Sequence, residues 1–177
     1  EAPVVMTLPA GYSEFSLPYD YGNTDAAVVL GVTPQSLKLA TASGAINASD
    51  FKRYPEVPAD RLFPGVGYQI TLDQPASITL KGDAVTRQTT RVLLGKGWNL
   101  IGTPYLQPLR WDGVQIMTAS AEILSFNQAE RAGVISKVLW EYDASTNDYK
   151  TVDVMEPFKA YWIQAYEAVT LIIPRPF

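Results

Sequence analysis

The chain is predicted to be mainly β, a β-rich α+β protein made of two tandem repeats of about 85 residues. Three observations predict this. The string Gly97-Trp-Asn-Leu-Ile-Gly-Thr-Pro-Tyr105 follows Gly11-Tyr-Ser-Glu-Phe-Ser-Leu-Pro-Tyr19 at an offset of 86 positions, with glycine, aromatic, apolar, proline and tyrosine in the same register. A second pair keeps the same order: Pro64-Gly-Val-Gly-Tyr-Gln-Ile70 aligns with Pro157-Phe-Lys-Ala-Tyr-Trp-Ile163, and Ile78-Thr79-Leu80 with Val169-Thr170-Leu171. Both halves also consist of short apolar or alternating segments cut by Gly and Pro, the pattern of antiparallel strands joined by tight turns. Each repeat is expected to hold several antiparallel strands and one short helix. The pair is expected to pack as one pseudo-twofold β-sandwich or barrel-like body around a shared interior. Residues 1–82 form the first repeat, 83–90 a linker and 91–177 the second.

Each repeat opens with a predicted hairpin. Val4 to Leu8 and Tyr12 to Leu17 flank Pro9-Ala-Gly11, and Arg91 to Leu94 and Trp98 to Gly102 flank Gly95-Lys-Gly97. Pro18 and Pro104 end the second strand, since proline cannot donate to a central ladder. A short helix follows over Ala26 to Leu30, with Thr24 or Asp25 as cap and Gly31 as stop, and again after Ser125, ending at Gly133. Val138 to Tyr142 and Tyr149 to Val154 read as a hairpin around an Asp/Ser/Asn turn, and Leu37 to Thr41 with Gly44 as its weaker first-half version. The last pair in each unit is Gly67 to Leu72 with Ser77 to Leu80, and Ala160 to Tyr166 with Ala168 to Ile173.

Composition restricts function more than any motif does. The 177 residues contain neither histidine nor cysteine, which removes Ser-His-Asp and Cys-His relays, His- or Cys-ligated metals and disulfides. No cofactor or metal is expected. A net charge of −4 with no basic run argues against nucleic acid as partner. No apolar run is long enough for membrane insertion as a helix. Asp143-Ala-Ser-Thr-Asn147-Asp148 imitates the start of a calcium loop but lacks its sixth-position Gly and twelfth-position Glu, so it reads as a turn. The acids Asp60, Asp112, Glu122, Glu130, Glu141 and Glu156 show no spacing that selects a catalytic pair, and no catalytic residue is expected.

The duplication sorts strand faces. Tyr161, Ile163 and Ala165 point one way, and Trp162, Gln164 and Tyr166 the other. Their first-half counterparts are apolar on the first face and Gln69, Thr71 and Asp73 on the second, so Trp162 and Tyr166 fall where the sister unit is solvated. All four tryptophans lie in the second half. A platform of Trp162, Tyr166 and Trp111 with Gln164 between them is therefore the candidate ligand site, suited to stacking on a sugar ring or receiving another protein. The bland alternative is that these rings seal the interface between the units. Trp98 and Trp140, each in a strongly apolar strand, read as core.

Gly97-Trp-Asn-Leu-Ile-Gly-Thr-Pro104, Leu139-Trp-Glu-Tyr-Asp143 and Tyr161-Trp-Ile163 together resemble a repeat of large secreted or cell-surface bacterial proteins, of the form "GWNLIG-P", "LW-YD" and "PG-GYW". The second unit departs from it in having Phe158-Lys-Ala160 before Tyr161, and the first keeps Pro64-Gly-Val-Gly67 without the Trp. The resemblance implies an extracellular or cell-surface accessory module and carries no activity with it. Three functions compete on this basis: a non-catalytic module binding a polysaccharide or another surface protein, a structural spacer without ligand, and a small carboxylate-based glycoside hydrolase.

Overall fold

Two chain reversals, at Pro9–Ala10 and at Gly95–Lys96, separate strands that do not pair with each other. In the computed structural model, which describes residues 5–79 and 81–177, each reversal instead carries the chain from one sheet to another. Val4 and Leu80, expected at strand ends, lie outside the described residues. The strand after each reversal opens on a glycine with positive φ, 89° at Gly11 and 124° at Gly97, a conformation that side chains resist.

The first half runs β1 (Val5–Leu8), β2 (Gly11–Phe15), β3 (Tyr19–Asp20), α1 (Ala26–Leu30), β4 (Lys38–Thr41), β5 (Ser43–Ala45), β6 (Lys52–Arg53), β7 (Tyr68–Leu72) and β8 (Ala76–Thr79). The expected hairpins β1–β2 and β7–β8 do not form. β1 pairs β8, while β2, β7, β4 and β6 make a second sheet in that order. β4 pairs with β7 and β6 rather than with the strand that follows it, and β5 leaves the half altogether. Asp25 caps α1 by accepting from the Ala27 N–H, and Gly31 ends it at φ 65°.

The second half runs β9 (Asp83–Ala84), β10 (Thr89–Leu94), β11 (Gly97–Ile101), β12 (Leu109–Arg110), β13 (Gln115–Met117), β14 (Ile123–Leu124), α2 (Phe126–Arg131), β15 (Leu139–Asp143), β16 (Asp148–Val152), β17 (Val154–Met155), β18 (Tyr161–Ala165) and β19 (Val169–Pro174). The 83–90 stretch is more than a linker: β9 pairs β3, and β10 begins at Thr89. Ser125 caps α2 in a capping box with Gln128, and β15–β16 is the expected hairpin.

The registers of the halves correspond residue by residue. Gly11↔Leu72 through Phe15↔Tyr68 on β2–β7 match Gly97↔Ala165 through Ile101↔Tyr161 on β11–β18. Leu8↔Ala76 and Val5↔Thr79 match Leu94↔Val169 and Arg91↔Ile172. On these ladders Ile78 answers to Leu171, two residues further than the sequence alignment with Val169. The Tyr68 hydroxyl accepts the Phe63 N–H at 2.8 Å, and the Tyr161 hydroxyl accepts the Glu156 N–H at 2.7 Å. The halves also exchange backbone bonds at matching places: Ser16 N–H to Phe158 C=O and Gly102 N–H to Gly65 C=O, both 3.1 Å. Phe158 and Gly65 share a positive φ, 70° and 89°.

The interior is not shared. One core lies between β10-β19-β13-β14 and β16-β15-β18-β11, with Ile101, Ile116, Leu139, Ile163 and Leu171 at its centre. A separate first-half core gathers Phe15, Tyr68, Ile70 and Ile78 with Ala26 and Leu30 of α1. A third, smaller cluster of Ala42, Ala45, Leu100, Ala160 and Trp162 joins the halves. It forms because β5 adds to β11 as the outer strand of the five-stranded sheet. The crossing is tight: a Cβ on Gly44 would sit 2.7 Å from the Gly95 Cα. Asn99, 1% exposed, clamps it, accepting the Gly44 and Gly95 N–H groups (2.8 and 3.0 Å) and donating to the Gly95 and Gly97 carbonyls (3.0 Å each).

Candidate functional site

The five-stranded sheet has two apolar faces. Alternation sends Ile101, Leu139, Tyr161 and Ile163 inward to the second-half core, and Trp98, Leu100, Trp140 and Trp162 to the other side. The three tryptophans sit on the neighbouring strands β11, β18 and β15. Trp140 lies directly opposite Trp162, and Leu100, two residues beyond Trp98, faces Trp162 from the other flank. The first half closes one wall. Ala45 pairs with Trp98, and the Phe51 ring lies 5.6 Å from the Trp162 ring at 31°. With Tyr149 of β16 these residues line an open groove of about 440 Å³. That size falls in the range of ligand pockets, and the lining is apolar and aromatic as such pockets are. Ile46, 80% exposed, stands on its rim.

Glu14 fixes the rings from behind. Its Oε1 accepts from the Tyr12 hydroxyl at 2.7 Å, the Tyr149 hydroxyl at 2.8 Å and Trp162 Nε1 at 3.1 Å, while Oε2 is buried without a partner. Tyr142 stacks edge-on against Tyr12 (5.2 Å) and Tyr149 (5.5 Å), extending the aromatic surface across β16 and β15. Burial, followed by the Glu14 charge, pushes the Tyr149 phenol up to about 12; burial and the Glu14 hydrogen bond raise Tyr12 as well.

Of the predicted platform, only Trp162 belongs to this groove, and it is 8% exposed. Gln164 is half-buried opposite Trp98 and does not line the groove. Tyr166 is 48% exposed and stands apart from it. Trp111 is 2% exposed, packed edge-on against Phe126 at 5.5 Å in the second-half core, with its Nε1 buried and unpartnered. Its backbone explains the burial: the Trp111 N–H donates to the Asp153 carbonyl at 2.9 Å, drawing a one-turn 3-10 helix inward. Trp98 and Trp140, read as core, are half-buried and line the groove. The comparison of halves that singled out Trp162 misses Trp98, because its counterpart Tyr12 is aromatic and only the structure shows that it is exposed.

Four of the six acids singled out from the sequence are held in ion pairs. Glu141 meets Lys159 at 3.0 Å and Lys150 at 3.6 Å, Asp112 meets Arg110 at 2.8 Å, and Glu130 meets Lys137 at 3.3 Å. Asp60 lies 3.5 Å from Arg61. Among the described residues no group of three or more acids is placed to hold a metal ion. The Asp143 turn closes on itself, with Ser145 donating to the carboxylate through its N–H (2.9 Å) and hydroxyl (2.6 Å). No helix among the described residues is long and apolar enough to cross a membrane.

No family model matches the chain, and neither a curated protein nor a solved structure matches it.

Proposed function

We propose that the chain is a non-catalytic accessory module of an extracellular or cell-surface protein, built from two copies of one unit, which holds its partner in the Trp98–Trp162–Trp140 groove. The observation that carries the binding role is the convergence of three of the four indoles on one outward sheet face, beside the junction of the halves. Large aromatic rings left half-open in a concave site supply contact area at little cost in conformational entropy. The matched ladders and the reciprocal bonds of Ser16 and Gly102 support the two-copy reading. The resemblance of Gly97 to Pro104 and of Leu139 to Asp143 to surface-protein repeats supports the location.

One observation favours a second role for part of the site. Trp162 is nearly enclosed by Phe51 and bonded to Glu14, so it also seals the seam, as a spacer without ligand would require. Trp98 and Trp140 separate the two roles, being half-open. Intrinsic tryptophan fluorescence, titrated with soluble polysaccharides and with peptides, tests this in the wild type and in Trp98→Ala and Trp140→Ala. A saturable response that weakens by about tenfold or more in each variant is expected, the scale of a buried aromatic anchor. Binding that survives both substitutions, or no response to any probe, contradicts it.

A further inference from the structure

We infer that the free edge of β10 takes up an extended segment of a partner protein in which apolar and acidic residues alternate. This edge is a different part of the molecule from the tryptophan groove, and the inference does not rest on that groove. β10 stands at the margin of its sheet, paired with β19 on one side only. Among the described residues no backbone group of Thr89 to Leu94 bonds to backbone outside that ladder. A row of unpaired N–H and C=O groups at strand spacing is matched by another extended backbone.

A second groove, of about 560 Å³, is open beside this strand. Five consecutive residues, Thr90 to Leu94, line it. A groove on one face of a strand would meet every second residue, so this one follows the edge itself. First-half Phe63, Pro64 and Val66 line it as well, which places it beside the seam between the halves.

Alternation then decides the chemistry of the occupant. Thr90, Val92 and Leu94 are buried, whereas Arg91 is exposed and Leu93 is 77% exposed. Side chains on the inner face of an added strand would meet Val92, Phe63 and Val66, so they are apolar. Those on the outer face would lie beside Arg91. Arg91 and Arg87 both line the groove, and neither belongs to an ion pair among the described residues. Acidic residues on that face gain a counter-charge across the ladder. A second copy of the chain pairing through its own β10 would instead set like guanidinium groups side by side, which opposes it.

The test is fluorescence anisotropy of labelled peptides as long as β10, added to the full chain. One peptide alternates valine with glutamate and one alternates valine with lysine. A third is the valine-glutamate peptide with its backbone N-methylated, which keeps the side chains and loses the N–H donors. Saturable binding of the first alone is expected, weakened by salt, with amide exchange slowed over residues 90–94. Arg91→Glu and Leu93→Asp change exposed side chains, so both are expected to fold and to bind it roughly tenfold more weakly. Arg91→Glu is also expected to take the valine-lysine peptide better than the wild type does. No binding of the valine-glutamate peptide, equal binding of all three, full binding by both variants, or protection confined to residues outside 90–94 overturns the inference. A dimer seen by sedimentation and dispersed by Leu93→Asp also overturns it, because the edge is then occupied by a second copy.

Discussion

Glu14 does the work of several residues at once, with three aromatic donors on one carboxylate oxygen. Its charge also helps raise the Tyr149 phenol, whose folded pKa of about 12 exceeds the ordinary value near 10. A group raised in this way contributes stability that is present in full below about pH 10 and lost as pH climbs through about 12. Glu14→Gln is expected to bring Tyr149 part of the way down, burial being the larger cause. Phenolate absorbance during alkaline titration reads this directly, and an unchanged titration curve would show that the Glu14 charge is not felt. At this scale the side of β18 was legible and its exposure was not: Trp162 lies on the face away from the second-half core, as its counterpart Gln69 suggested, but the ring is buried. Trp111 was misplaced because a one-turn helix has no periodicity to reveal a buried face. Trp140 was misplaced because apolar neighbours say nothing about which of two apolar sheet faces a ring joins.

The element on which the site depends is β5, a three-residue strand that crosses into the other half's sheet. It brings Ala45 to the groove, and the chain just beyond it brings Phe51. Gly44 has φ 77° and no room for a Cβ against the Gly95 backbone, so Gly44→Ala is expected to cost about 2 kcal/mol or more. Asn99→Ala removes four hydrogen bonds at a part-buried crossing and is expected to cost about 2–4 kcal/mol. Urea denaturation measures both, and a loss under about 0.5 kcal/mol in either would mean the clamp is not holding the seam. Strand positions, both helix caps and the β15–β16 hairpin were legible from turn residues and alternation. Strand partners were not. A reversal such as Pro9–Ala10 looks like a hairpin turn locally, and only the pairing of β1 with β8 and of β2 with β7 shows the chain leaving the sheet.

For the whole molecule, two cores and a joining cluster replace the single interior that a clasped pair of repeats suggested. The seam still couples them, because the second half's sheet is completed by a first-half strand and Trp162 by a first-half carboxylate. All four tryptophans report on the second half, whereas the far-ultraviolet circular dichroism reports on both. Urea transitions followed by the two signals are therefore expected to coincide, as for one cooperative unit. Separate midpoints would show that the halves unfold independently and that the groove wall is not preorganised.

The groove itself is tested most directly by fluorine NMR of protein grown with fluorinated tryptophan, which gives one signal for each of the four tryptophans. On titration with soluble polysaccharides or with peptides, the signals of Trp98 and Trp140 are expected to shift and saturate together. Trp162 follows weakly, and Trp111, enclosed in the second-half core, stays still. Movement of Trp111 with Trp98 and Trp140 unmoved, or no movement of any indole, would contradict the account.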